Sequence, residues 1–182
     1  MEAPDMDPLV SVIVPAHNCE AYLADALTSL AAQTISDIEI IVIDDGSTDG
    51  TARVAAEYAA RDSRIRLISR ARASGRPACA RNVGLKVARG EYIALLDADD
   101  IAVSTRFESS IAAMKKTGAR FAFADYRKLY QETGELDNEG FLESAALVQK
   151  AAKYLEQVDG DVYLCSPKFA AFLLTVTAVH TP

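Results

Sequence analysis

Residues 9–51 read LVSVIVPAHNCEAYLADALTSLAAQTISDIEIIVIDDGSTDGT, a segment that predicts a strand, a helix and a second strand in turn. The β-branched run at 9–14 stops at Pro15, which is typical of a buried strand. Residues 19–33 then carry apolar side chains at helical spacing, with Asn18 as the expected N-cap. A second apolar run at 38–43 predicts the next strand and ends at Asp44-Asp45-Gly46.

The same alternation continues to residue 100. The predicted elements are a helix at 51–61 capped by Ser47 or Thr48, a strand at 65–69, a helix at 78–89 ended by Gly90, and a strand at 92–96. Nearly continuous apolar strands that alternate with helices indicate a parallel sheet covered on both faces. We therefore predict an α/β fold, with residues 1–8 as a flexible tail and 9–124 as the main subdomain.

After residue 103 the pattern loosens. Here the predicted elements are a helix at 104–116 stopped by Gly118, a strand at 119–124, a hairpin of 126–130 with a partner after Thr133-Gly134, a helix at 142–158, and a strand or helix at 168–179. Residues 125–182 are expected to begin a second, incomplete subdomain. Since the sequence stops directly after an apolar run, we expect a chain truncated at its C-terminus.

Composition excludes several classes of protein. Nineteen Lys and Arg against 26 Asp and Glu give a net charge of −7, which argues against a nucleic-acid partner. Cys19, Cys79 and Cys165 lack the CxxC spacing of a zinc ribbon and fit a reducing compartment. The N-terminus does not resemble a signal peptide, and the apolar run at 169–179 is too short for a transmembrane segment. These features predict a soluble, cytoplasmic protein.

Acidic residues follow two of the predicted strands, at the sheet edge where α/β proteins bind ligands. Asp97-Ala98-Asp99-Asp100 places three carboxylates within four residues, an arrangement that a Mg²⁺ or Mn²⁺ ion would stabilise. Asp97 or Asp100 could instead cap the next helix, but a cap uses one acid rather than three. Asp44 and Asp45 could accept hydrogen bonds from a ribose or a base, and an Asx or Ser cap for the following helix is the simpler explanation.

Basic residues are concentrated between positions 70 and 90, where six Lys and Arg stand without an acid. A glycine-containing loop that leads into a helix N-terminus suits an anionic diphosphate. Arg76 and Arg81 flank that helix start and are the candidates, whereas we interpret Arg70, Arg72 and Arg89 as solvated. The loop of Pro15, Ala16, His17 and Asn18 could line a pocket for a base, or His17 could be an ordinary surface residue.

Four segments together resemble the nucleotide-sugar-binding half of a family 2 glycosyltransferase. They are VSVIVPAHN at 10–18, EIIVIDDGSTDGT at 39–51, ARNVG at 80–84 and ARGEYIALLDADD at 88–100. The resemblance covers roughly residues 9–110 and implies the GT-A fold, a Rossmann-like and mostly parallel sheet with helices on both faces. It also implies that residues 125–182 begin an acceptor-side subdomain.

The resemblance assigns roles to individual residues. Asp97-Ala98-Asp99 takes the place of the DxD motif, with Asp99 holding a Mg²⁺ or Mn²⁺ ion that bridges the donor diphosphate. Asp97 is a second metal ligand and, with Ala98, belongs to the donor-binding residues, since it is expected close to the ribose or the donor sugar. The remaining donor-binding positions are Pro15, Ala16, His17 and Asn18 under the base, Asp44 and Asp45 at the base and ribose, and Arg76 and Arg81 near the diphosphate or base. The implied reaction is a metal-dependent, inverting transfer of a sugar from a nucleotide-diphosphate sugar to a glycan or lipid-linked acceptor in polysaccharide biosynthesis. A UDP-sugar is the preferred donor because UDP-sugars are common in the family.

The sequence departs from the family after Asp100, where it has neither a Glu-Asp pair for the general base nor any Trp. No catalytic base is therefore assigned, and a nucleotide-sugar-binding module or an inactive truncated fragment remains an alternative. Peripheral association with a membrane and the oligomeric state are left open. A dinucleotide-binding oxidoreductase is excluded because the turn after the first strand lacks glycine. A phospho-receiver domain is excluded because its acidic pair would follow the first strand.

Overall fold

A computed structural model describes residues 7–124, 127–130, 133–136, 155–159 and 162–165. The chain divides into two compact units, residues 1–105 and 106–182. The elements of the first unit are β1 (Val10–Ala16), α1 (Leu23–Ala31), β2 (Ile38–Asp44), α2 (Thr51–Ala59), β3 (Ile65–Ser69), α3 (Pro77–Leu85) and β4 (Tyr92–Leu95). The predicted subdomain boundary at residue 124 falls within the second unit and stays a prediction.

The first unit is built on a four-stranded parallel sheet in the order β3-β2-β1-β4. This confirms the parallel α/β sheet that the apolar runs predict. Because all four strands point the same way, the loops that follow them meet at one edge of the sheet. The acids after β2 and β4 therefore lie at the same edge as the loop after β1.

The two central strands, β1 and β2, are buried on both faces, as expected of a parallel sheet, whereas Ile93 and Leu95 of the edge strand β4 are exposed. On one face, Ile13, Ile41 and Ile43 form a cluster with Ala80 of α3. A Cβ atom at Gly84 would stand 2.5 Å from Ile13 Cγ2, so this glycine lets α3 approach β1 closely. The alternate residues of the two central strands are equally inaccessible; they are Val12, Val14, Ile40 and Val42.

Several predicted helix boundaries are wrong. Helix α1 begins at Leu23 rather than near Cys19, and Asn18 does not cap it. Neither Ser47 nor Thr48 caps α2, whose first amide donates to Asp49 Oδ1 at 3.0 Å.

The turn between α3 and β4 also differs from the prediction, because α3 ends at Leu85 and Gly90 does not stop it. The Gly90 amide instead donates to Ser11 Oγ at 2.7 Å, and Ser11 Oγ donates to Glu39 Oε1 at 2.6 Å. The turn is thus fastened to buried polar groups at the N-terminal ends of β1 and β2.

The second unit contains α4 (Arg106–Thr117), β5 (Ala122–Ala124), β6 (Leu129–Tyr130), β7 (Glu135–Leu136), β8 (Leu155–Asp159) and β9 (Val162–Cys165). The stop at Gly118 and the hairpin of β6 and β7 are confirmed. The predicted helix at 142–158 is wrong for residues 155–158, which form β8 and pair antiparallel with β9. The remainder of that helix and the element at 168–179 lie outside the described residues. Among the helices described, none has the length and apolar content that crossing a membrane requires.

Candidate functional site

A cavity of about 420 Å³ opens at the C-terminal edge of the parallel sheet. Its walls come from the loops after β1, β2 and β4 and from the start of α3. The lining residues are Pro15, Ala16, His17, Asn18, Cys19, Tyr22, Asp45, Gly75, Arg76, Pro77, Ala80, Asp97, Ala98 and Asp99. Segments far apart in sequence therefore contribute to one site.

Most of the residues predicted to form a site line this cavity, and two do not. Asp44 is buried, and its Oδ1 accepts a hydrogen bond from the Ser47 amide at 3.0 Å, so that it holds the turn after β2 and does not cap α2 as the simpler explanation expected. Arg81 does not line the cavity, and its Nη2 donates to Asp97 Oδ1 at 2.6 Å. Sequence reasoning missed five lining residues, which are Cys19, Tyr22, Gly75, Pro77 and Ala80. Gly75 and Pro77 adjoin the predicted Arg76 in the glycine-containing loop that leads into α3, and this position is the signal that could have identified them.

Asp45 joins the loop after β2 to the loop before α3. Its Oδ2 accepts hydrogen bonds from the Ser74 amide at 2.9 Å and the Ser74 hydroxyl at 2.5 Å, and Oδ1 accepts one from Arg70 Nη1. Burial raises the pKa of the Asp45 carboxyl, but the Ser74 hydrogen bonds and the Arg70 charge outweigh it, so that the net pKa is lowered. Asp45 is therefore ionised at neutral pH. The interpretation of Arg70 as a solvated side chain is wrong.

The loop after β1 is fastened to the loop after β2 by His17 and Asn18. His17 Nδ1 lies 2.9 Å from the backbone oxygen of Asp45. Asn18 has a φ of +50°, in the left-handed region that asparagine tolerates better than most residues. The Asn18 side-chain oxygen, Oδ1, accepts a hydrogen bond from the Thr48 backbone amide at 2.8 Å. The Asn18 backbone amide donates to Ser47 Oγ at 3.0 Å.

A second set of contacts ties the same loop to the start of α2. The Cys19 amide donates to Thr51 Oγ1 at 2.8 Å, and Thr51 Oγ1 donates to Asp49 Oδ1 at 2.5 Å. The hydrogen bonds from Thr51 are the main cause that lowers the pKa of Asp49. Burial raises the pKa of the Cys19 thiol, so this lining cysteine stays protonated. The loop after β1 is thus held on both sides of Asn18.

Asp97 and Asp99 supply the cavity with hard oxygen ligands. Among the described residues, no group of three or more His, Cys, Asp or Glu is arranged to hold a metal ion. Mg²⁺ and Mn²⁺ commonly take one or two protein carboxylates and complete their coordination with phosphates and water. A pair of carboxylates beside an open cavity fits such an ion, although it would not make a closed protein cage.

The architecture and the sequence were compared with those of known proteins. TarS of S. aureus, residues 1–349 in complex with UDP-GlcNAc, superposes with a TM-score of 0.65 and 25% identity. The match covers 97% of this chain and 49% of that chain. The fold is the GT-A fold that the four segments imply.

Curated relatives match the same region. The uncharacterized glycosyltransferase EpsJ of Bacillus subtilis is 48% identical over 103 residues, which cover 57% of this chain and 29% of EpsJ. WfgD of Escherichia coli, a UDP-Glc:alpha-D-GlcNAc-diphosphoundecaprenol beta-1,3-glucosyltransferase, is 39% identical over 120 residues, which cover 66% of this chain and 46% of WfgD. The chain therefore spans less than half the length of either relative. The family model for glycosyl transferase family 2 matches residues 11–176, and the chain belongs to that family.

Proposed function

We propose that this chain binds the sugar donor of a glycosyltransferase. The enzyme would transfer a sugar from a nucleotide-diphosphate sugar to a glycan or lipid-linked acceptor, and a UDP-sugar is the preferred donor. The observation that carries the proposal is the single cavity in which His17, Asp45, Arg76, Asp97 and Asp99 meet. The names of WfgD and of the TarS complex, which mention UDP-Glc and UDP-GlcNAc, favour a uridine nucleotide. The name of another relative, which mentions teichuronic acid biosynthesis, favours a role in polysaccharide biosynthesis.

The nucleoside part of the donor is assigned to the loops after β1 and β2. Pro15 to Asn18 would lie along the base, and the ionised Asp45 would accept a hydrogen bond from a base N–H or a ribose hydroxyl. We assign Asp44 a structural role in the turn after β2, because its carboxylate accepts a hydrogen bond from the Ser47 amide and does not line the cavity.

The diphosphate is assigned to the other side of the cavity. Asp99, with Asp97 beside it, would hold a Mg²⁺ or Mn²⁺ ion, which as a Lewis acid stabilises the charge of a departing nucleoside diphosphate. Arg76 precedes α3, so phosphate oxygens could also meet the amides and the partial positive charge of a helix N-terminus. Arg81 keeps the Asp97 carboxylate in place through its 2.6 Å contact.

Inversion at the anomeric carbon would follow from direct displacement by the acceptor hydroxyl. A carboxylate would have to remove the hydroxyl proton. The three cavity carboxylates are already assigned, since Asp45 pairs with Arg70, Asp97 pairs with Arg81 and Asp99 is the proposed metal ligand. None of the three is therefore proposed as the general base.

A thermal-shift titration with UDP, GDP and dTDP, each with and without Mn²⁺, tests the donor site directly. A ligand at one hundred times its Kd stabilises the folded state by about 2.7 kcal/mol. For a chain of this size that corresponds to a rise in Tm on the order of 5–10 °C. We expect the largest rise with UDP and Mn²⁺ together. Binding is measured without an acceptor, so the result does not depend on transfer by this chain alone.

Asp99→Asn supplies the metal test, and Asp100→Asn is its matched control because Asp100 does not line the cavity. We expect Asp99→Asn to abolish the Mn²⁺-dependent part of the UDP shift while the Tm without ligand stays near the wild-type value. Asp100→Asn should keep the Mn²⁺-dependent shift. A full Mn²⁺-dependent shift in Asp99→Asn would overturn the metal assignment, and no shift of the wild type with any nucleotide would overturn the donor site.

A further inference from the structure

The hydrogen bonds around Asn18 determine which of its side-chain atoms is the donor. The Thr48 amide lies 2.8 Å from Asn18 Oδ1, and a backbone N–H can only donate. The atom facing it must therefore be the amide oxygen, which places the Asn18 NH₂ group on the other side. That NH₂ group lies 3.3 Å from His17 Nε2.

The same reasoning extends to the imidazole ring of His17. Its Nδ1 faces the backbone oxygen of Asp45 at 2.9 Å, and a carbonyl oxygen can only accept, so Nδ1 carries a proton. Its Nε2 faces the NH₂ donor of Asn18, so Nε2 carries a lone pair. The two contacts together specify a neutral ring with its proton on Nδ1.

We propose that Asn18 is a positioning residue that holds His17 as a neutral Nδ1–H imidazole, with its ring presented to the nucleobase as a stacking surface. This inference rests on the proposed donor site. Both ring nitrogens are committed to protein groups, so the faces of the ring are what remain for a ligand. His17 is accordingly neither a metal ligand nor a proton donor to the diphosphate. The left-handed backbone at Asn18 lets one residue reach both Thr48 and His17.

The protonation state of His17 can be measured without any nucleotide by ¹⁵N NMR of the imidazole rings. We expect one protonated nitrogen, Nδ1, and one unprotonated nitrogen, Nε2, which is the tautomer that free histidine disfavours in water. A His17→Gln variant assigns the signals against those of His180. An Nε2–H tautomer in the wild type would overturn the proposal.

Asn18→Asp tests whether Asn18 is the cause of this state. One carboxylate oxygen can still accept from the Thr48 amide, but the other would face Nε2 and favour a proton there. We expect a proton on His17 Nε2 in this variant, so that the ¹⁵N signal of Nε2 moves from the unprotonated to the protonated position. Asn82→Asp, on the exposed side of α3, is the matched control and should leave the ring signals unchanged. An unchanged His17 tautomer in Asn18→Asp would refute the role of Asn18.

Asn18→Gly is the second variant, because glycine keeps the left-handed backbone and removes only the side chain. In the presence of Mn²⁺, we expect it to weaken UDP binding and to leave pyrophosphate binding unchanged. Loss of base stacking on an aromatic ring costs roughly 5- to 100-fold in affinity. Equal losses for UDP and pyrophosphate would indicate a merely structural role. If the wild type shows the expected tautomer but binds neither ligand, the donor site fails while the assignment of the ring stands.

Discussion

Gly46 gives the most direct test of how the cavity wall is held. It follows Asp45, has a φ of +66°, and a Cβ atom at this position would lie 2.5 Å from the Ala73 amide nitrogen and 2.6 Å from the Arg72 carbonyl carbon. Both atoms belong to the backbone, so a rotamer change cannot relieve the contact. Gly46→Ala should therefore push residues 72–73 away from the loop after β2.

The magnitude follows from two separate costs. A residue with a Cβ in the left-handed region costs about 1–2 kcal/mol, and overpacking against fixed atoms costs about 1–3 kcal/mol more. Gly75→Ala separates them, because Gly75 has a φ of +70° but its Cβ would meet nothing within 4 Å. The effect of alanine on the unfolded chain is the same at both positions, so it cancels in the comparison.

Urea unfolding of the two variants measures the difference. We expect Gly46→Ala to lower the free energy of unfolding by about 1–3 kcal/mol more than Gly75→Ala. We also expect Gly46→Ala to weaken UDP binding, because the displaced segment lies between Arg70 and Ser74, which hold Asp45. Equal losses of stability in the two variants would refute the claim that residues 72–73 pack on Gly46.

Three further outcomes follow from the contacts described above. Ser11→Ala should lower the free energy of unfolding by about 1–3 kcal/mol in a urea titration, because it leaves the half-buried Gly90 amide without its acceptor and removes one donor from the buried Glu39 carboxylate; a loss below about 0.5 kcal/mol would argue against this role. Arg70→Gln should cost about 1–3 kcal/mol at neutral pH. That deficit should shrink in acid, because a lowered Asp45 pKa stabilises the fold above the unfolded pKa of about 3.9 and loses its effect as the pH falls through the folded value. Arg81→Ala should weaken UDP binding more than uridine binding in calorimetric titrations, since it releases Asp97, and equal losses would remove Arg81 from the diphosphate side.

The sheet could be predicted from sequence because its signal is local. A strand buried on both faces is apolar along most of its length, and the runs ending at Pro15 and Asp44 have this property, with Ser11 and Glu39 as their buried polar members. The order of the acids along the chain then places them at one edge, since parallel strands end together. The burial of the strands and their shared direction were therefore sufficient to predict where the cavity lies.

The ends of the helices could not be predicted in the same way because long-range contacts determine them. An asparagine ahead of an apolar helical pattern is an ordinary N-cap signal. Here the Asn18 oxygen bonds the Thr48 amide, 30 residues away, and α1 starts only at Leu23. Likewise Arg70 looked solvated because its partner, Asp45, is 25 residues earlier in the chain. No window of local sequence contains either pair.

The ion pairs of Asp45 and Asp97 bear on why the proposed donor site would need a metal ion. Asp45, Asp97 and Asp99 would make the cavity strongly anionic by themselves, which would repel a diphosphate. Arg70 and Arg81 form ion pairs with Asp45 and Asp97, and Arg76 lines the same cavity as Asp99, so that the formal charges of these six residues cancel. A neutral cavity still offers no excess positive charge to a diphosphate. A divalent ion at Asp99 would supply that charge, and the two Asp–Arg pairs explain why one such ion would be enough.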